Sequence, residues 1–271
     1  MSTSFSASFS NIDQASDPLT FVDFMDDANA MAFFRAAKRR TYDLLALAPG
    51  SHVLDIGCGA GEDVRAMAEI VGPTGRAVGV DGSATMIAAA RERSEALALP
   101  TEFFVDDAQH LRFSDATFDG CRTDRVLLHL SDPALAIAEM ARVLRRGGRA
   151  VAFEPDNGGL LVDGADREIT QKIMYYRSEE VRSGWIGRQL RRRFKDAGLV
   201  DVEVHVLPSP RTDYTHANAS LNLGYYAERA AEAGVVTAHE AAAWSESLAA
   251  AGEAGCFFCI VTMFMAVGRK P

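Results

Sequence analysis

The stretch VLDIGCGAGED, residues 53–63, decides the fold. An apolar run ends there in Gly57, Gly59 and Gly61, three glycines within five residues. Glycine loses more backbone entropy on folding than any other residue, so that density needs a reason. An apolar run, a glycine-rich turn and then the helix-periodic EDVRAMAEIVG read as buried strand, tight turn and helix. Such a turn lets a ligand lie against the backbone. The helix behind it offers unpaired N–H groups.

Working outward, the same strand-then-helix rhythm repeats. RAVGVDG (76–82) predicts a second strand, and SATMIAAARERSEALAL (83–99) a helix with Ser83 as its N-cap. TEFFVDD (101–107) predicts a third strand, with a short helix after it near 108–111. FDGCRTD (118–124) predicts a fourth, DPALAIAEMARVLRRGG (132–148) a helix with a glycine stop, and RAVAFEPD (149–156) a fifth strand. Alternating strands and helices predict a parallel sheet covered on both faces. Upstream, residues 21–47 read as helix until Pro49-Gly50 breaks it. Downstream the rhythm changes. A helical stretch is expected over 166–198, a sixth strand over 200–207, helical stretches over 217–233 and 237–251, and a last strand over 256–267.

The bulk properties narrow the function. The chain has 271 residues, 48% hydrophobic and 24% charged, as in an ordinary globular protein. Its formal net charge of −9 argues against a general nucleic-acid binder, which needs a basic footprint. The basic stretches AKRR (37–40) and RQLRRRFK (188–195) read as solvated helix faces. No run of apolar residues approaches the ~20 needed to span a membrane. The N-terminal MSTSFSASFSNIDQASDP has neither the basic start nor the apolar core of a signal peptide, and its serines suggest a mobile arm. Cys256 and Cys259 have C-x-x-C spacing but sit in a strand-like run without a second ligand pair, so no metal is expected. A reduced, cytoplasmic protein is the expectation, as monomer or homodimer.

In a parallel sheet of this kind ligands bind beyond the carboxyl ends of the strands, where the strand order reverses. Asp81 and Gly82 end the second strand, roughly 20 residues past the glycine turn, where a carboxylate accepts from ribose hydroxyls. Asp106, Asp107 and Ala108 end the third, where an acid accepts from an adenine amine. The glycine spacing is G-x-G-x-G rather than the dinucleotide fingerprint G-x-G-x-x-G, which counts against a nicotinamide-dependent oxidoreductase.

VLDIGCGAG, VGVDGS, FFVDDAQHLRF, FDGCRTDRVLLHL and VLRRGGRAVAFEPD, in that order, resemble the motifs of the class I S-adenosylmethionine-dependent methyltransferases. The similarity is to the small-molecule branch that includes the ubiquinone/menaquinone C-methyltransferase-like proteins, over about residues 40–156. It implies a Rossmann-like α/β sheet of seven strands in the order 3-2-1-4-5-7-6, the last antiparallel. It implies S-adenosyl-L-methionine as cofactor and a small-molecule acceptor. An arm and lid helix (1–40) would precede a methyltransferase domain (41–271) with helical insertions at about 157–198 and 208–252.

Carried onto this chain, the resemblance places Gly57, Gly59 and Gly61 against the methionine portion, with Asp55 fixing the turn and the amino group. It gives Asp81 the ribose, and Asp107, with Asp106 as second choice, the adenine amine. It sets Asp124 and Arg125 beside the sulfonium through backbone atoms, and Arg40 or Arg39 on the cofactor carboxylate. His129 is the candidate general base, or else a packed histidine; Glu154 and Asp156 are candidates to orient the acceptor. DNA amino-methyltransferases of this fold carry an Asn/Asp-Pro-Pro-Tyr/Phe stretch after the fourth strand. Here that place reads TDRVLLHL, so DNA is disfavoured. A non-methylating cyclase or a regulatory module on the same scaffold is the alternative.

Overall fold

The computed structural model describes residues 9–15, 17 and 19–271. Seven strands form one sheet: β1 (His52–Ile56), β2 (Arg76–Asp81), β3 (Thr101–Val105), β4 (Phe118–Asp124), β5 (Leu144–Val162), β6 (Val200–Arg211) and β7 (Cys259–Arg269). Their order is β3-β2-β1-β4-β5-β7-β6, as the resemblance implies. The strands from β3 through β5 pair in parallel, and β7 runs antiparallel to both β5 and β6. The order reverses at β1, which lies between β2 and β4. The glycine turn therefore opens at the switch point.

Helices α1 (Leu19–Ala30), α2 (Ala32–Leu45), α3 (Glu62–Val71), α4 (Ala84–Glu95), α5 (Pro133–Val143), α6 (Arg167–Glu180), α7 (Ile186–Asp196), α8 (Tyr214–Leu221), α9 (Leu223–Glu232) and α10 (Ala238–Glu253) surround it. Alternation along each strand splits the core into two layers. Val53, Val151 and Phe153 pack with α2, α3, α4, α6 and α8 to α10 on one face. Leu54, Ile56, Ala150 and Ala152 pack with α5 and α7 on the other. Among the described residues no helix is long and apolar enough to cross a membrane.

Several expected elements are subdivided. The helix expected over 21–47 breaks at Met31, whose φ of −68° and ψ of 133° are extended. The 166–198 stretch becomes α6 and α7, and the 217–233 stretch becomes α8 and α9, turning at Asn222 with φ 54°. No helix forms over 108–111. Asp107 and His110 instead bridge a tight turn. Ser83 does cap α4, accepting from Met86 N at 3.2 Å. Residues 1–8 of the expected arm lie outside the described residues. Phe9–Gln14 form a 3₁₀ turn, and Asp13 accepts from Ser83 Oγ at 2.6 Å and Ala84 N at 2.8 Å. That carboxylate reinforces the α4 N-terminus, where a helix dipole favours negative charge.

Below the glycine turn the core is ionic. Arg122, in the middle of β4, has no exposed side-chain surface. Its Nη1 lies 3.0 Å from both Asp55 Oδ1 and Asp63 Oδ2, and its Nη2 3.0 Å from Asp124 Oδ2. Lys38 of α2 joins through Asp63, which Tyr42 also contacts, and through Asp124 at 3.4 Å. Arg125 Nε closes the set on Asp124 Oδ1 at 2.8 Å. Three cations thus face three carboxylates, and the set is neutral. Burial raises Asp55 to about 7, against the pull of Arg122, while Lys38, Arg122 and Arg125 together bring Asp124 below its ordinary value. Two expectations fall here. Asp55 is 1% exposed and serves this network rather than a ligand, and Lys38 of the AKRR stretch is buried, not solvated.

Removing one member of a buried ionic set leaves its partners uncompensated. Arg122→Met should cost about 3–5 kcal/mol of folding stability, read from urea denaturation. A loss below about 1 kcal/mol, the range of exposed ion pairs, would show that the network does not support the fold.

Candidate functional site

A cavity of about 980 Å³ lies beyond the carboxyl ends of the parallel strands. Gly57 and Gly59 of the turn, Asp81 and Gly82 after β2, Asp106, Asp107 and Ala108 after β3, and Asp124 and Arg125 after β4 all line it. The N-terminal segment adds Asp13, Met25, Met31 and Phe34. The structure brings most of the sequence-derived residues to one place.

The three glycines answer to different neighbours. All have positive φ, at 71°, 51° and 78° for Gly57, Gly59 and Gly61. A Cβ on Gly57 would lie 2.2 Å from Val126 Cγ2, and one on Gly61 2.7 Å from the Phe103 ring. Both positions are closed by the protein's own packing. Gly59 is the more open, with Met25 Cε at 3.2 Å as its one near atom. Of the three, Gly59 is therefore the one placed to admit a ligand against the backbone.

Asp81 ties this turn to the cavity rim. Its Oδ2 accepts from Gly59 N and its Oδ1 from Ser83 N, each at 2.9 Å. Burial raises its carboxyl above the ordinary value while those two N–H groups oppose the rise. Asp106 Oδ2 accepts from Arg112 N at 3.1 Å, and Asp107 Oδ1 from Gln109 N at 2.8 Å. Arg125 has φ 57°, unusual for a side-chain-bearing residue. Its guanidinium lies 4.4 Å from the Phe34 ring centre and donates to Asn29 Oδ1 at 3.2 Å, joining the β4 end to α1.

The fit to an adenosyl cofactor rests on this donor and acceptor set. A Cβ on Gly82 would have nothing within 4 Å, and carboxylates end two successive strands around it. A group with hydroxyls and an amine finds acceptors there, and the open Gly59 backbone lies beside them.

His129 also lines the cavity, half-buried at the end of a 3₁₀ turn after β4. Burial, aided by Arg125 and Arg182, holds its imidazole down at about 4. It is neutral at physiological pH.

Asp55 and Gly61 are not among the cavity's lining residues, and Glu154, Asp156 and Arg40 lie elsewhere too. Glu154 is fully buried; its Oε1 accepts from Val126 N at 2.9 Å and Leu127 N at 2.8 Å. Burial pushes its carboxyl up to about 8 despite those donors. Asp156 is fully buried and holds Arg188, with Oδ2 2.7 Å from Nε. Pro155 and Asn157 line the cavity instead, because successive strand residues face opposite ways. Arg40 is exposed on α2 and meets His205 Nδ1 at 3.0 Å, away from the cavity lining.

Other residues had escaped notice. Asp13, Arg177 and Arg211 line the cavity from segments without a motif. Arg122 did carry a signal, since a charge inside a buried strand demands partners.

Residues 53–148 match the family model described as a methyltransferase domain. An uncharacterized 37.1 kDa protein in transposon TN4556 of Streptomyces fradiae is 39% identical, over 92% of this chain and 71% of its own length. The demethylmenaquinone methyltransferase of Bacillus cytotoxicus is 28% identical, over 74% of this chain and 89% of its own length. The solved structure of YcgJ from Bacillus subtilis superposes with a TM-score of 0.62 at 17% identity, over 87% of this chain and 98% of that one, a likeness of fold. The motifs, the strand order and these relatives agree: the chain belongs to the class I S-adenosylmethionine-dependent methyltransferases, enzymes that take S-adenosylmethionine as cofactor.

Proposed function

We propose that this methyltransferase acts on a small, partly apolar molecule held above the glycine turn. The observation that carries the reading is the division of one cavity. Gly59, Asp81, Asp106 and Asp107 line it from behind β1, β2 and β3, while the apolar Val261 and Met263 line it from β7 across the sheet, with Met31 and Phe34 of the N-terminal segment as further apolar lining. The polar part suits an adenosyl group, and the apolar part suits the acceptor's body.

In this reading Asp81 accepts from the ribose hydroxyls, and Gly59 admits the methionine portion against the backbone. Asp106, Asp107 and Ala108 meet the adenine edge. Asp124 and Arg125 border the sulfonium. The cofactor supplies an already activated methyl group. What the chain contributes is alignment of the acceptor and exclusion of water. Residues from the 3₁₀ turn, α1 and α2 and from α6 and α8 line the cavity, and they are assigned the role of a lid. His129 takes the proton when the acceptor is a hydroxyl or an acidic carbon.

Two expected outcomes test these roles. Asp81→Ala should weaken S-adenosylhomocysteine binding by at least about tenfold in calorimetry, since hydrogen bonds to a charged group are worth roughly 1.5–3 kcal/mol. An unchanged dissociation constant in the folded variant removes Asp81 from the ribose.

For His129, a depressed folded value means that the unfolded chain binds the extra proton first. Its contribution to stability is therefore present above about pH 6.5 and is lost as pH falls toward 4. The rate should stay level through pH 6.5 and fall only near 4. His129→Ala should lower kcat by about 10²–10⁴-fold if the histidine is the base. A normal kcat with a lowered Tm assigns it to packing instead.

A further inference from the structure

The acceptor part of the cavity holds positive charge that the protein itself leaves without a counter-charge. Arg177 of α6 is 6% exposed. Its Nη1 donates to Asn157 Oδ1 at 2.6 Å and its Nε to Leu221 O at 3.2 Å, and its guanidinium lies 5.1 Å from the Tyr226 ring centre. All of these partners are neutral. Arg211 ends β6, half-buried, and its Nε and Nη1 are buried with no hydrogen-bond partner. Asn157 Nδ2 is buried and unpartnered as well. The three side chains come from separate elements and line the same cavity.

No carboxylate among the described residues counters either guanidinium. Burial holds both below their ordinary value, and Arg125 adds repulsion at Arg211. The contrast with the rest of the site is sharp. Arg122 and Arg125 are matched to acids, and Arg188 is matched to Asp156. Buried charge without a partner is costly, and so is a buried N–H without an acceptor. A planar guanidinium fork is built to take two oxygens of one anion.

We infer that the methyl acceptor carries an oxyanion, a carboxylate or a phosphate, that docks on Arg211 and Arg177 with Asn157 Nδ2 as a further donor. Its apolar body lies along Val261 and Met263, which line the same cavity. The inference rests on the methyltransferase reading above and narrows its substrate class. It also explains why two uncompensated cations stay in a chain whose net charge is −9.

The test uses the full chain loaded with S-adenosylhomocysteine. The probes are 4-hydroxybenzoate, phenyl phosphate and the neutral 4-hydroxybenzamide, measured by calorimetry on wild type and Arg211→Met. Wild type should bind one of the anions at least about tenfold more tightly than the amide, as expected for a charge-assisted contact. Tighter binding of the benzoate identifies a carboxylate, and of the phenyl phosphate a phosphate. Arg211→Met should erase the preference and leave S-adenosylhomocysteine affinity within about threefold, well under one charge-assisted contact. Without ligand it should melt higher than wild type, since a buried unpaired charge is gone. Equal binding of all three probes by wild type overturns the inference, as does a preference that survives in Arg211→Met. Loss of S-adenosylhomocysteine affinity in Arg211→Met would give that guanidinium to the cofactor and overturn it too. A lower melting point without ligand would make Arg211 structural, with the same consequence. Failure of wild type to bind S-adenosylhomocysteine would overturn the cofactor reading itself, and the inference with it.

Discussion

Arg122 is the constraint around which the site is arranged. Its guanidinium occupies the centre of a parallel sheet, where neighbours are normally apolar. A charge there survives only if acids surround it, and they come from β1, from α3 and from the end of β4. Those are the elements that carry the two sides of the glycine turn and the cavity floor. Lys38 extends the set to α2, and Arg125 extends it through Asn29 to α1. One ionic cluster thus joins the sheet to the helices over its open end. Its specificity comes from geometry, since both oxygens of Asp63 and of Asp124 meet fixed donors and Asp55 meets Arg122 through Oδ1.

The glycine turn has a second origin besides a ligand. Val126 closes over Gly57, and Phe103 over Gly61. The loop after β4 and the ring from β3 can press on the turn because it lacks side chains there. Asp81 then fixes the remaining glycine, Gly59, through its N–H. The open ground left beside Gly59 and Gly82 is where main chain lies bare to the cavity. Tight packing on two sides of the turn thereby sets the backbone geometry of the third.

Charge is divided along the cavity. Acids end β2 and β3, and two arginines without acidic partners stand on α6 and β6. Met31, Phe34, Val261 and Met263 add apolar surface to the same cavity. An adenosyl group rich in hydroxyl and amine donors suits the first part. Arg177 and Arg211 give the other part the opposite preference. His129, held neutral by burial and by neighbouring arginines, lines the same space.

The parallel strands, the glycine turn and the acids at the ends of β2 and β3 were all readable along the chain, whereas the strand order followed only from the resemblance of the chain's motifs to a family. Each of the readable features depends on local order: an apolar run, a glycine cluster, a carboxylate at a fixed step after it. The helix breaks at Met31 and Asn222 were not readable, because helical periodicity runs through both points and packing decides the bend. Glu154 and Asp156 look like rim residues in sequence, yet pleating turns both away and presents Pro155 and Asn157. Asp55 sits in a motif, but its partner Arg122 is 67 residues away. Arg177 and Arg211 belong to no motif; the tertiary fold brings them to one cavity. Motifs record what neighbouring residues do to one backbone, and they carry the glycine turn and the acids at the ends of β2 and β3. Burial and charge pairing depend on residues far apart in the chain, so the part of the cavity that holds Arg177 and Arg211 took its form only when the helices closed over the sheet.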